Sequence, residues 1–249
     1  MDLLVTTAAQ RPDLVPLLDD FNDWPAFMRE DMLSPLYYGD AVAAHPAHVL
    51  IAVDRDRPDR LAAKGYSVPF TWEADPDEAL PPGGWDEVIL MAARDRLAGR
   101  RGTIVSALEI SVRRDLRGTG LSGVMLAAMR RAAAAEGYAS LVAPVRPNAK
   151  HLHPGMPAAA YADLRRDDGL PVDPWLRVHV RAGGRITGVS SRAMTITGSL
   201  ADWRSWTGLP FDTAGPVEVP EALVPVHCDT AQDLAVYCEP CVWVHHPLS

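Results

Sequence analysis

The sequence predicts a mixed α/β domain, and three observations carry that prediction. An aliphatic run at Val49–Asp54 is followed, across a charged turn containing Pro58, by an alternating run at Leu61–Thr71, which reads as an antiparallel hairpin. A second β-rich run, Thr103–Val112, passes through a glycine-rich loop at Arg113–Gly120 into a helix from Leu121 to about Glu136. Leu121, Met125, Ala128, Met129 and Ala132 form its apolar stripe at helical spacing. A further strand, Ser140–Val145, follows that helix directly.

The remaining elements follow in chain order. Leu3–Thr6 is a short first strand, and Pro12–Asp20 a helix with proline in its first turn. Trp24–Tyr38 is a second helical stretch, interrupted near Ser34-Pro35, with an aromatic and methionine stripe that reads either as core or as a pocket wall. A Pro- and acid-rich loop, Trp72–Gly84, precedes a helix at Trp85–Leu97. His151–Gly169 is loop-like with a helical piece near Ala158–Arg166. Asp173 as N-cap and Pro174 at the first position open a helix to Ala182, closed by Gly183-Gly184. Strands at Arg185–Ser190 and Ala193–Thr197, a short helix at Leu200–Gly208, and strands at Leu223–His227, Leu234–Tyr237 and Val242–His245 complete the chain.

Composition narrows the function classes. The 249 residues suffice for a full core, and 48% hydrophobic with 22% charged residues is ordinary for a globular protein. The net charge of −8 disfavours general nucleic-acid binding. No apolar run reaches the roughly 18 residues of a membrane span, and the N-terminus lacks a basic region followed by an apolar core. Three cysteines argue against a disulfide framework, so a cytoplasmic protein without a membrane anchor is expected. Cys238-x-x-Cys241 is one pair without a second, and no metal site is expected. Seven arginines between Arg94 and Arg117 form either a solvated face or a basic rim for an anionic ligand or acidic partner.

The loop before the Leu121 helix points backbone N–H groups and the positive helix end at one spot, which suits a phosphate or pyrophosphate. It lacks the lysine of a Walker loop. Its Gly118-x-Gly120-x-x-Gly123 spelling matches a dinucleotide fingerprint without the matching context, since no acidic residue ends the next strand. Arg117-Gly-Thr-Gly120-Leu-Ser122 after a strand ending in Val112 resembles instead the acetyl-CoA loop of the GNAT superfamily of N-acetyltransferases, Gln/Arg-x-x-Gly-x-Gly/Ala. Ser122 in the last small position is a departure. The resemblance is specific from Thr103 to Asn148 and extends over about residues 48–197.

That resemblance implies a mixed, largely antiparallel sheet flanked by helices. Residues 1–199 would form the acyltransferase domain, and 200–249 a C-terminal extension packed on it. Residues 72–100 would be an insertion beside the acceptor side, either a substrate cover or an added packing helix. It implies direct attack of a small-molecule amine on the thioester of acetyl-CoA or another acyl-CoA. A carrier-protein phosphopantetheine arm is the rival donor, suggested by the arginine rim, and a non-catalytic CoA-binding or regulatory module the rival class. The implied donor-binding residues are Ile110, Val112, Arg113, Arg117, Gly118, Thr119, Gly120, Leu121, Ser122 and Asn148, although Asn148 reads equally as a turn residue beside Pro147.

For the base, Glu109 interrupts an apolar strand, and burying a carboxylate there is costly unless it is paired, hydrated or at a site. Members of the family often carry a Glu on this strand. Alternation puts Glu109 on the face of Val105 and Ala107, and Leu108, Ile110 and Val112 on the other. For the acid, the family's fourth-helix tyrosine position falls on His179, counted back from Gly183, with Tyr161 as the competitor. The protein is expected to be a monomer or homodimer.

Overall fold

The computed structural model describes residues 2–248. The strands are β1 (Leu3–Thr7), β2 (Val49–Asp54), β3 (Arg57–Phe70), β4 (Ile104–Val112), β5 (Ser140–Val145), β6 (Arg185–Gly198), β7 (Gly215–Val217), β8 (Val226–Asp229) and β9 (Leu234–Pro247). The α-helices are α1 (Pro35–Tyr38), α2 (Ala41–Ala44), α3 (Gly84–Leu97), α4 (Leu121–Ala135), α5 (Ala158–Ala162), α6 (Pro174–Arg181) and α7 (Leu200–Thr207). One sheet runs in the order β1-β2-β3-β4-β5-β9-β8-β7, with β6 paired to β9. Among the described residues its pairings are antiparallel except β4 with β5. This is the mixed, largely antiparallel sheet expected.

The two faces of the sheet bury separate cores. On one, α4 and α6 set Leu121, Met125, Leu126, Met129 and Leu176 against Leu50, Val105, Leu141 and Val244. On the other, α3, α7 and the N-terminal segment set Phe27, Trp85, Val88 and Trp203 against Ile51, Tyr66, Leu108 and Tyr237. Leu121, Met125, Ala128 and Met129 of the stripe read from the sequence of α4 are buried, joined by Leu126 and Ala133 while Ala132 is half-buried, and Asp173 caps α6 by accepting from the N–H groups of Trp175 and Leu176. Residues 200–249, expected as an extension, supply β9, which lies between β5 and β6.

Four local expectations are corrected. Pro12–Asp19 is a 3₁₀ helix, with Pro16 inside it removing a donor that an α-helix would need. Trp24–Tyr38 is not one helix but a 3₁₀ turn at Ala26–Glu30 and the four-residue α1, because Pro25 and Pro35 each restart the chain. The two predicted strands at 234–237 and 242–245 are one strand, β9, running through Pro240. Pro240 falls where the β6 register jumps from Ser190↔Cys241 to Met194↔Glu239, so its missing N–H leaves no ladder bond unmade. The same irregularity joins the two strands expected at 185–197 into β6.

Candidate active site

The parallel pairing of β4 and β5 is confined to Val105↔Leu141 and Ser106↔Val142. Beyond it the strands part, and a cleft of about 730 Å³ opens between Ala107–Val112 and Ala143–Arg146. On its other edge β5 remains fully paired to β9, so the splay is confined to one side. Alternate backbone amides of β4 and β5 therefore face the cleft without a strand partner, and an extended ligand carrying amides of its own could pair with them.

At the end of β4 the loop turns on Gly118 (φ 80°) and Gly120 (φ 86°), a left-handed conformation that costs an L-residue about 1–2 kcal/mol. A Cβ at either would meet nothing within 4 Å, so these glycines are required by backbone shape and leave the loop surface open. Gly120 caps α4 without a side-chain hydrogen bond. The N–H groups of Gly123 and Val124 return to the Gly120 carbonyl. Those of Leu121 and Ser122 have no protein partner among the described residues, and the loop is an anion cradle of the kind a helix start provides. Gly118, Gly120, Leu121, Ser122, Arg117, Ile110, Val112 and Asn148 line the cleft.

Arg113 and Thr119 do not line it. Arg113 turns back to Asp115 and the Leu61 carbonyl, and the Thr119 hydroxyl donates to the Leu116 carbonyl. Arg114 and Arg117 both bind Asp23, at 3.1 and 2.6 Å, which ties the N-terminal segment to the loop. Arg96 pairs with Asp40 and Arg100 with Asp95, so five of the seven clustered arginines are paired with four carboxylates, Asp23 being shared by two of them.

The geometry of Glu109 corrects the alternation argument. The β3–β4 register passes from Tyr66↔Glu109 to Ser67↔Ala107, which makes Leu108 the extra residue of a β-bulge. Strict alternation fails at a bulge, and the residues after it change faces. Glu109 therefore shares its face with Leu108 and Tyr66, whereas Ile110 and Val112 pack with Ala107 beneath α4. The carboxylate accepts from the Tyr38 hydroxyl at 2.9 Å and from the Ser111 hydroxyl at 2.6 Å, and the residue is only 9% exposed. Burial first, and then the charge of Glu109, pushes the Tyr38 phenol well above its ordinary range, so Tyr38 remains a donor to that carboxylate.

Trp85 and Trp24 stand beside Glu109 as aromatic walls, their ring centroids 6.2 Å apart, and the Trp85 indole N–H fixes the bulge by donating to the Leu108 carbonyl. Trp85 opens the helix that the sequence marks as an insertion, and Trp24 opens the aromatic stripe, so both carried a signal. Arg146 and Glu239, also in the wall and joined at 2.9 Å, carried none, because β9 comes beside β5 only through the tertiary fold.

His179 lines the cleft but is only 1% exposed. Its Nδ1 lies 2.9 Å from His246 Nε2, and burial lowers its pKa to about 3, so the ring is neutral at neutral pH and provides no imidazolium. Tyr161 is outside the cleft, buried, with its hydroxyl on Asp173 at 3.2 Å. Cys241 lines the cleft as a free thiol whose pKa burial raises well above its ordinary value, which suppresses its thiolate.

No family model matches the chain. The arginine N-acetyltransferase avaD of Aspergillus versicolor is 32% identical over a 272-residue alignment that covers 97% of this chain and 93% of that protein. Among solved structures, the loading GNATL domain of CurA from Lyngbya majuscula matches with a TM-score of 0.60 at 18% identity, over 99% of this chain and 97% of that one. The GphF GNAT-like decarboxylase in complex with isobutyryl-CoA gives a TM-score of 0.48 at 16% identity over the whole of both chains.

Proposed function

The chain belongs to the GNAT superfamily of N-acetyltransferases, and from that premise we propose that it acetylates a nitrogen of a cationic, arginine-like small molecule with acetyl-CoA as donor. It is an acyltransferase that moves an acyl group from acyl-CoA to an amine. The observation that carries the finer reading is the bulge at Leu108, which turns the Glu109 carboxylate away from α4 and toward the Trp24 and Trp85 walls of the cleft. A carboxylate flanked by aromatic rings suits a cation. The name of the avaD relative supports an arginine-like acceptor.

In this reading the 117–122 loop binds the pyrophosphate through the free N–H groups of Leu121 and Ser122, and the splayed edges of β4 and β5 pair with the pantetheine amides. Glu109, directly or through water, takes a proton from the attacking nitrogen. The nitrogen–carbonyl bond forms as the carbon–sulfur bond breaks. Starting from a protonated acceptor, one proton leaves to solvent and the second returns to the thiolate. Tyr38 and Ser111 orient the Glu109 carboxylate throughout.

Free acetyl-CoA fits better than a carrier-protein arm, because the arginine rim that suggested an acidic carrier is largely paired internally. The test is to incubate the protein with acetyl-CoA and L-arginine, following CoA thiol release and the acetylated product by mass spectrometry. Thiol release no faster than donor hydrolysis, with L-arginine and with other amines of its shape, refutes the acceptor reading. Turnover with an acyl-carrier protein but not with acetyl-CoA refutes the donor reading.

A further inference from the structure

Arg146 places a second charged group in the same cleft. Glu109 lies on β4 and Arg146 directly follows β5, so the two stand on opposite sides of the splay. The guanidinium uses only part of its donor set on the protein. Its Nε donates to both Glu239 oxygens, at 3.1 and 2.9 Å, and its Nη2 donates to the Glu221 carbonyl. Nη1, with two N–H groups, has no protein partner among the described residues, and the side chain is 23% exposed.

The partners of Arg146 are themselves held in place. Glu239 is 2% exposed and accepts from the Tyr237 hydroxyl at 2.6 Å, and that hydroxyl accepts from the Leu223 N–H at 2.9 Å. Glu221 keeps φ at 68°, a conformation that non-glycine residues rarely adopt, while its carbonyl takes the Arg146 donor. A planar cation in the wall of a cleft, held on two sides and with its third nitrogen uncommitted, is preorganised to receive an sp² oxygen.

We infer that Arg146 is a specificity-determining residue, binding through Nη1 the carboxylate or amide carbonyl of an acceptor whose reacting nitrogen lies toward Glu109. This rests on the amino-acid-like acceptor of the preceding reading and adds a second anchor to it. The internal pair with Glu239 offsets part of the Arg146 charge, so its partner can be a neutral carbonyl or a carboxylate. The acceptor is then bifunctional, with a nitrogen at one end and a carbonyl or carboxyl group at the other.

The experiment compares kcat/KM for L-arginine, L-argininamide and agmatine, and for L-lysine and cadaverine, all with acetyl-CoA. The wild-type protein should favour L-arginine over agmatine by about tenfold or more, the worth of one charge-assisted hydrogen bond. In Arg146→Lys, which keeps the charge and loses the fork, that ratio should fall toward one, because L-arginine turnover falls more than agmatine turnover. Argininamide following L-arginine assigns a carbonyl contact, and argininamide following agmatine assigns a carboxylate contact.

Glu239→Gln provides the second variant, removing the internal carboxylate that competes for Arg146. Its KM for L-arginine should fall relative to that for agmatine. Equal turnover of L-arginine and agmatine by the wild type, or equal losses for both in Arg146→Lys with no change of ratio in Glu239→Gln, overturns the inference and leaves the proposed function standing. Turnover of none of these compounds overturns both.

Discussion

In the proposed reading, the donor end of the cleft, Gly118 to Ser122, works through backbone N–H groups, whereas the acceptor end works through the side chains of Trp24, Trp85, Glu109, Arg146 and Glu239, from widely separated stretches of chain. The donor side needs only glycines at positive φ and a helix start, so five consecutive residues are enough to write it. The acceptor side needs a bulge in β4, an indole from α3 that fixes it, and a carboxylate from β9. A pyrophosphate is recognised by charge and N–H direction, which backbone supplies in the same way for any sequence that can adopt the turn. An acceptor is recognised by shape and by the placement of a few groups, and only side chains supply those.

The largest effect expected from this division is at Glu109. Glu109→Gln should lower kcat by about 10²–10⁴-fold, the usual range for a lost general base, while the Kd for acetyl-CoA measured by calorimetry is unchanged. A parallel weakening of donor binding would mean that the two sides are not separable. The converse change is Gly120→Val, which puts a β-branched residue at φ 86°. It should raise the Kd for acetyl-CoA about tenfold, from about 1–2 kcal/mol of backbone strain, with the acceptor KM unchanged at saturating donor.

A third prediction concerns stability behind the acceptor wall. Asp86, next to Trp85 in α3, accepts from the Thr195 N–H and has one buried oxygen without a partner. Burial first, and then Asp31, raise its pKa from 3.8 to about 7. The folded state thus binds a proton that the unfolded state has released. The stability this contributes is complete below about pH 4 and is lost as pH rises through about 7. Asp86→Asn should therefore be more stable than the wild type at pH 8, by on the order of 2 kcal/mol after allowance for solvent screening, seen as a higher Tm, and the difference should vanish near pH 4. An equal Tm difference at both pH values would rule out titration of Asp86 as its source.

The smallest effect is at Tyr161, outside both halves. Tyr161→Phe removes one hydrogen bond to Asp173 and should cost about 1 kcal/mol in denaturant unfolding, with kcat changed by less than about twofold. A large fall in kcat would return Tyr161 to the chemistry and redraw the boundary of the site.

Legibility in the sequence followed the same division. The strand, loop and helix from Thr103 to Glu136 were readable because β-branched content, glycine and a helical stripe are local properties. Glu109 was readable as a carboxylate out of place in an apolar strand, but its face was not, because the bulge depends on how β3 pairs. The continuity of β9 through Pro240 was hidden for a similar reason, since proline is tolerated only where neighbouring strands ask nothing of its nitrogen. His179 was found by counting back from Gly183, and its partner His246 lies 67 residues further on.

By itself, then, the sequence determined the strand, loop and helix from Thr103 to Glu136 and with them the proposed anion cradle, which depend on residues within a few positions of one another. The tertiary structure decided which way Glu109 points, that Asp23 rather than solvent meets Arg114 and Arg117, and that Arg146 meets Glu239 across 93 residues. Local sequence specifies φ, ψ and periodicity. Strand pairing and burial specify which side chains share a space, and an acceptor pocket is made of such shared space.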